Sequence, residues 1–266
     1  MRSYLNHTAY AFSNNKHQGN PAGVVLLNEW PKSESMQQIA TANNHPETAF
    51  IVRQGSNDES WDIRWFTPLI EVPLCGHATL AAAAILDQKF NFKSNIYKFH
   101  GIHDRLDVSL SGDKYLLDLP VDRPIQDNLS SDVIDSLGLN AMNISKGRDY
   151  YLIKISNEDA VLNMQPDFER LKLHTKNGII VTSQGREVDF VSRFFAPAMG
   201  INEDHVTGSA HCVLIPFWAN YLAKNKLHAR QLSPRGGYLE CSLMGNRVQL
   251  IGDVCVDDKV QEYNID

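Results

Sequence analysis

Arg64-Trp65-Phe66-Thr67-Pro68, followed eight residues later by Gly76-His77-Ala78, decides the fold because the same phrase is written twice. Arg193-Phe194-Phe195-Ala196-Pro197 repeats it, and Gly208-Ser209-Ala210 comes eleven residues after Pro197. Each copy runs an aromatic, strand-forming segment into a Pro turn. A Gly-small step then opens an Ala-rich or apolar helix. Two strand-to-helix turns built alike, about half a chain apart, predict two similar domains facing one cleft. A small substrate held there is approached from opposite faces, which is the geometry proton-transfer isomerases need.

The 266-residue length exceeds the usual single-domain size and agrees with two domains. With 43% hydrophobic and 21% charged residues, the chain has the composition of an ordinary globular protein able to bury a large core. The net charge is −6 and the two signs are mixed throughout, with no Lys/Arg block, so nucleic acid is not an expected partner. The start, Met1-Arg2-Ser3-Tyr4-Leu5-Asn6-His7, is too polar for a signal peptide. The longest apolar stretch, 78–86, is about half a membrane span. Cys75, Cys212, Cys241 and Cys255 show neither CxxC pairing nor zinc-type spacing with histidine, which suggests free thiols in a reducing cytoplasm.

Working outward from the repeat, strands are expected over 4–12 and 24–27, around a turn at Gly19-Asn20-Pro21-Ala22-Gly23. Ser33 is placed as the N-cap of a helix through Met36, Ile39 and Ala40. Residues 48–52 are a β-rich run with Glu47 at its mouth, and 61–66 alternates as a half-buried strand does. Residues 78–86 form a buried helix, and 97–110 with 115–119 a strand pair turning at Gly112-Asp113. The Pro-punctuated stretch 119–124 is the expected boundary between domains 1–118 and 119–255, with 256–266 packing back on the first. The second half is expected to hold a short helix at 131–137, strands near 150–155, 178–183, 190–195, 238–243 and 248–251, and a second buried helix at 212–222. The fold class is α+β, sheet-rich, with one central helix per half.

Chemistry concentrates at the turns. Thr207-Gly208-Ser209-Ala210 places amides at a helix N-terminus, where a carboxylate or phosphate is stabilised, and Gly76-His77-Ala78-Thr79 does the same in the other half. For one such turn a plain helix cap explains the residues as well; the duplication favours ligand binding. Glu47 follows Pro46 and precedes an apolar run, so its carboxylate is either a partly desolvated general acid/base or a solvated strand end. Asp204 either orients a neighbour or substrate, or merely forms a turn in Asn202-Glu203-Asp204. His77 is a candidate proton carrier, whereas His205 and His211 read as structural. A two-cysteine racemase needs a thiol at both turns, but the counterpart of Cys75 is Thr207, and Cys212 lies a helical turn too late. Carboxylate chemistry is therefore preferred. A metal hydrolase is a distant reading, since His, Asp and Glu never fall at ligand spacing on one element, and no metal is expected.

At these residues the chain resembles the PhzF-like family of phenazine-biosynthesis-type isomerases, itself similar in fold to diaminopimelate epimerase. The match runs through Gly19-Asn20-Pro21-Ala22-Gly23, Glu47-Thr48-Ala49-Phe50, Cys75-Gly76-His77-Ala78-Thr79, Glu203-Asp204-His205-Val206-Thr207-Gly208-Ser209-Ala210-His211 and Gln231-Leu232-Ser233. The resemblance implies two similar domains, each a barrel-like, mostly antiparallel sheet around a central helix, with the site between them. It implies cofactor-free proton shuttling on a small cyclic or amino-acid-like acid. The family's catalytic glutamate falls on Glu47, its assisting histidine on His77, its aspartate on Asp204 and its Gly-Ser serine on Ser209. Asn20, Gly76, Ala78, Gly208 and Ala210 complete the expected substrate-binding set. A homodimer carries over as an expectation. His205, Cys212 and the His45-Pro46 pair depart from the usual family residues, which leaves the catalytic set intact and the substrate open. Two alternatives to isomerisation stand: a racemase or epimerase of an amino-acid-like acid, and a catalytically silent binder of small acids.

Overall fold

The computed structural model describes residues 2–55, 58–102, 105–140 and 143–265. The chain forms two compact units, one of Met1–Asp118 with Ile251–Asp266, the other of Leu119–Leu250. Each is an α+β unit in which a sheet surrounds a helix.

In the first unit, strand Arg2–Ala11 pairs antiparallel with Asn20–Leu27 on one side and with Val254–Ile265 on the other. Asn20–Leu27 then runs parallel to Glu47–Arg53, the crossover being the helix Ser33–Asn43. Glu47–Arg53 pairs antiparallel with Ser60–Phe66, which lies parallel to Ile96–His100 in the register Trp61 opposite Phe99. The second crossover contains the helix Gly76–Gln88. Every residue from Gly76 to Leu86 in it is buried. Its side chains are too small and too uniformly apolar to define one wet face, so it can only be a core element. It touches strands from several directions, including Arg2–Ala11, Asn20–Leu27, Glu47–Arg53, Arg105–Ser111 and Val254–Ile265. The sheet therefore buries one face on this helix. The other face carries Val25, Phe50 and Phe66 against Met36, Ile39 and Ala40 of the outer helix.

The second unit repeats the plan. Tyr150–Lys154 runs parallel to Gly178–Gln184, which pairs antiparallel with Phe190–Ala196. Phe190–Ala196 lies parallel to Lys226–Gln231, and the crossover contains the helix Gly208–Leu222. Gly178–Gln184 is buried on both faces, as the alternation of strand side chains requires. Ile179 and Val181 pack with Val133, Leu171 and Phe195 on the outer side. Thr182 accepts a hydrogen bond from Trp218 Nε1 of the central helix at 3.0 Å.

Several expectations are corrected. Asn20-Pro21-Ala22-Gly23 is not a turn but the buried start of a strand. The bend lies before it, over 12–19, where Gly19 has φ +73° and only 2.4 Å between its would-be Cβ and the Ala11 carbonyl oxygen. Gly23 is needed for close approach: a Cβ there falls 2.1 Å from Asn43 Nδ2 and 2.5 Å from Asn6 Oδ1. Ser33 does not cap its helix; Lys32 holds the cap position, and Ser33 Oγ instead accepts from Arg64 Nη2 at 2.9 Å. The strand expected over 97–110 is two strands, Ile96–His100 and Arg105–Ser111. The second central helix begins at Gly208, one turn before the expected start, and carries Pro216 inside it. The helices Glu158–Leu162 and Phe168–His174 and the strand Lys226–Gln231 are additions to the expected elements, while the C-terminal segment expected over 256–266 is the strand Val254–Ile265.

Candidate functional site

The repeated phrase has a structural reason that starts with its arginine. Arg64 donates through Nε and Nη2 to the two carboxylate oxygens of Glu71, both at 2.7 Å. Arg193 makes the same two-pronged contact with Glu203, at 2.7 and 2.8 Å. Each fork ties the strand to the segment that turns back into the central helix. A planar guanidinium matched to a carboxylate is the geometry that fixes direction as well as distance. The two pairs differ in burial: side-chain exposure is 20% and 27% for Arg64 and Glu71, but 9% and 11% for Arg193 and Glu203. Arg193 Nη1 also donates to the Met164 carbonyl oxygen at 2.8 Å.

In the first unit this scaffold delivers Cys75, Gly76, His77 and Ala78 to the head of the central helix, with Cys75 in the N-cap position. Thr79 Oγ1 donates to the Cys75 carbonyl oxygen at 2.7 Å and accepts from Trp65 Nε1 at 3.0 Å, which pins the first turn to the repeated strand. Glu47 begins its own strand and reaches the same place. Its Oε2 lies 3.2 Å from His77 Nε2, with 13% and 5% of the two side chains exposed. The opposite ring nitrogen, Nδ1, lies 3.4 Å from Cys75 Sγ and 3.3 Å from Asn20 Nδ2. Five expected residues of this half, Asn20, Glu47, Gly76, His77 and Ala78, thus stand together around one buried imidazole.

Burial by itself pulls the His77 imidazole down, but the Cys75 sulfur and the Glu47 carboxylate pull it up, and the balance lies well above the ordinary histidine value. The Cys75 thiol is pushed up by burial and then by the Glu47 charge, which outweigh His77. The Glu47 charge acts on both neighbours, favouring the proton on the Cys75 thiol and the proton on the His77 imidazole. Glu47, Cys75 and His77 also bring an oxygen, a sulfur and a nitrogen within 4.8 Å of one another, donor types that a divalent cation can share.

In the second unit Asp204 ends the strand Ile201–Asp204 rather than sitting in an open turn. Its Oδ2 accepts from Thr207 Oγ1 at 2.7 Å, and Thr207 is the N-cap of the helix Gly208–Leu222. Gln231 locks this arrangement from the neighbouring strand. Its Nε2 donates to the Asp204 carbonyl oxygen at 2.8 Å, and its Oε1 accepts from the Thr207 amide at 2.9 Å. Gly208 and Ala210 are buried, and Ser209, partly exposed, has Oγ 3.0 Å from the Tyr150 hydroxyl. Sequence reading gave neither Gln231 nor Tyr150 a role; the twofold amide pairing of Gln231 exists only once the strand is beside the turn. His211 is buried beside Phe190 with Nδ1 donating to the Thr207 carbonyl oxygen at 2.8 Å. Burial pushes it down to about 4, so it is neutral and structural.

Among the described residues no helix is long and apolar enough to cross a membrane. A family model described as phenazine biosynthesis-like protein (PhzC-PhzF) matches residues 9–257. An uncharacterized isomerase of Pseudomonas aeruginosa is 46% identical over 246 residues, covering 92% of this chain and 93% of that protein. A phenazine biosynthesis protein of the PhzF family from Enterococcus faecalis has a solved structure that superposes with a TM-score of 0.93 at 38% identity, covering 99% of this chain and 100% of that one. A predicted epimerase from Pseudomonas aeruginosa, with a TM-score of 0.76 and 16% identity over 100% of both chains, shares the fold alone. Near-complete coverage at this identity, over a fold of two similar sheet-around-helix units, places the chain in the phenazine biosynthesis-like (PhzF) protein family.

Proposed function

We propose that this isomerase moves a proton between carbons of a small carboxylate-bearing substrate without a cofactor, with Glu47 as the general acid/base. The observation that carries the reading is the nearly buried Glu47–His77 contact at the head of the helix Gly76–Gln88. A Glu47 oxygen takes a proton from a substrate carbon, and the electron pair of that C–H bond enters the substrate's conjugated system. The carboxylic acid so formed gives the proton back to a second carbon. Atoms balance within one substrate, and nothing else is consumed. The proton on His77 stabilises the Glu47 carboxylate and keeps it aimed, because Nε2–H has one nearby anionic partner. From the repeat in the sequence we propose that Asp204 orients the substrate and that the Gly208, Ser209 and Ala210 turn holds its carboxylate.

Epimerisation is a second reading, favoured by one observation: Cys75 brings a second protonic group to His77 Nδ1 at 3.4 Å. The test is a panel of small carboxylic acids in deuterated water, followed by proton NMR and chiral chromatography. Isomerisation puts deuterium on a carbon other than the one deprotonated. Epimerisation puts it on the same carbon with inverted configuration. No incorporation into any acid that binds would leave the catalytically silent binder. Free cysteines support a reducing, cytoplasmic location. A homodimer is proposed from the family resemblance and is checked by sedimentation equilibrium.

A further inference from the structure

We propose that Tyr150 is a positioning residue for substrate binding, its hydroxyl fixing the Ser209 hydroxyl so that the serine proton is presented to an anionic group of the substrate. The proposal rests on the reading that the Gly208–Ala210 turn holds a carboxylate. Tyr150 OH lies 3.0 Å from Ser209 Oγ. Ser209 is the second residue of a helix of 15 residues, where amides without intrahelical partners concentrate.

The tyrosine is held in place by its surroundings. Tyr150 opens a strand and lies directly opposite Gly178 in a parallel pair. A Cβ on Gly178 would fall 2.9 Å from Tyr150 Cδ1 and 2.5 Å from Phe194 Cζ, so the absent side chain makes the recess that both rings occupy. Phe194 meets the Tyr150 ring edge-on, with centroids 5.0 Å apart at 78°. Phe194 belongs to the repeated strand, so the duplicated phrase fixes this tyrosine too.

Burial pushes the Tyr150 phenol up, the Ser209 hydrogen bond opposes it, and the Asp149 and Asp204 charges add to the rise, so the phenol keeps its proton. The 3.0 Å contact admits either hydroxyl as donor, and the proposal has Tyr150 donate to Ser209 Oγ. Ser209 is then an acceptor toward Tyr150, and its own proton must point elsewhere. A hydroxyl locked as a donor binds an anion better than one free to rotate, because its orientation is set before the ligand arrives.

The experiment is a double-mutant cycle in the full chain with benzoate as the probe, read by isothermal titration calorimetry. Tyr150→Phe keeps the ring and its contact with Phe194 while removing the hydroxyl. Loss of one oriented hydrogen bond predicts benzoate binding weaker by about fivefold to tenfold. Ser209→Ala predicts a loss at least as large. The double variant predicts no further loss beyond Ser209→Ala, an outcome that a merely structural tyrosine would not give. Unchanged binding in Tyr150→Phe, or equal weakening with and without Ser209, overturns the proposal. No saturable binding by the wild-type protein overturns it together with the carboxylate seat. Glu47→Gln separates the two readings: normal benzoate binding with normal proton exchange refutes the acid/base assignment while leaving Tyr150 standing.

Discussion

Removing the acid from each arginine fork gives an internal comparison within one protein. Glu203→Ala strips the two-pronged partner from a guanidinium only 9% exposed, whereas Glu71→Ala does so for one 20% exposed. Breaking a buried pair by removing one partner costs about 3–5 kcal/mol, because the remaining charge is left without compensation. Arg193 keeps the Met164 carbonyl oxygen, and weaker contacts to those of Val161 and Leu162 at 3.4 and 3.3 Å, which sets the expectation for Glu203→Ala at the low end, about 3 kcal/mol. Arg64, in a pair 20% and 27% exposed, can reach water and already touches Ser33, which moves its loss toward that of a surface pair, about 1 kcal/mol. At about 4 °C per kcal/mol for a unit of this size, Glu203→Ala should melt roughly 10 °C or more below wild type and Glu71→Ala within about 4 °C of it. Scanning calorimetry with deconvoluted transitions is the appropriate assay, since two units need not unfold as one. Equal losses for the two variants, or a larger loss for Glu71→Ala, would refute the argument that burial decides the strength of the forks.

Two further predictions come from packing and protonation. Gly178→Ala forces a methyl group within 2.5 Å of Phe194 Cζ and 2.9 Å of Tyr150 Cδ1, and overpacking of this kind costs about 1–3 kcal/mol. Urea melts read the loss, and benzoate binding should weaken with it because Tyr150 is displaced. His211 is held down to about 4 by burial, against 6.5 when exposed. Its folded value is the lower one, so the unfolded chain binds a proton first as the pH falls. The stability it contributes is complete above 6.5 and is lost progressively between 6.5 and 4, amounting to about 3 kcal/mol over that window. NMR of the His211 ring should show no titration until near pH 4; a midpoint near 6.5 would contradict the burial argument.

The sequence carried the plan of the fold because its decisive elements are local. The Ala-rich run at 78–86 can hide only inside a sheet, and the doubled strand-turn-helix phrase appears as two parallel crossovers over two central helices. Other features depended on partners distant in the chain. Gly-Asn-Pro-Ala-Gly has the composition of a turn, yet Asn20–Leu27 is a buried strand whose Gly23 makes room for the Asn6 and Asn43 amides, 3.1 Å apart. The strand Lys226–Gln231 alternates exposed and buried residues, but its buried positions include Gln231 and Ala229, which carry little apolar signal. The last strand, Val254–Ile265, is largely polar and is specified by its pairing with Arg2–Ala11. In the candidate site, Glu47, His77 and Asn20 are separated in sequence but meet at one imidazole, whereas the Arg–Glu forks and the Tyr150–Ser209 contact needed coordinates to be seen.

The central claim is that the Glu47 carboxylate carries the transferred proton. The direct measurement is the rate at which Glu47→Gln exchanges a carbon-bound proton with deuterated water, compared with wild type on the same acid and with unchanged circular dichroism. Loss of a positioned acid/base predicts a rate lower by about a hundredfold to ten-thousandfold. A rate within a few-fold of wild type would contradict the account.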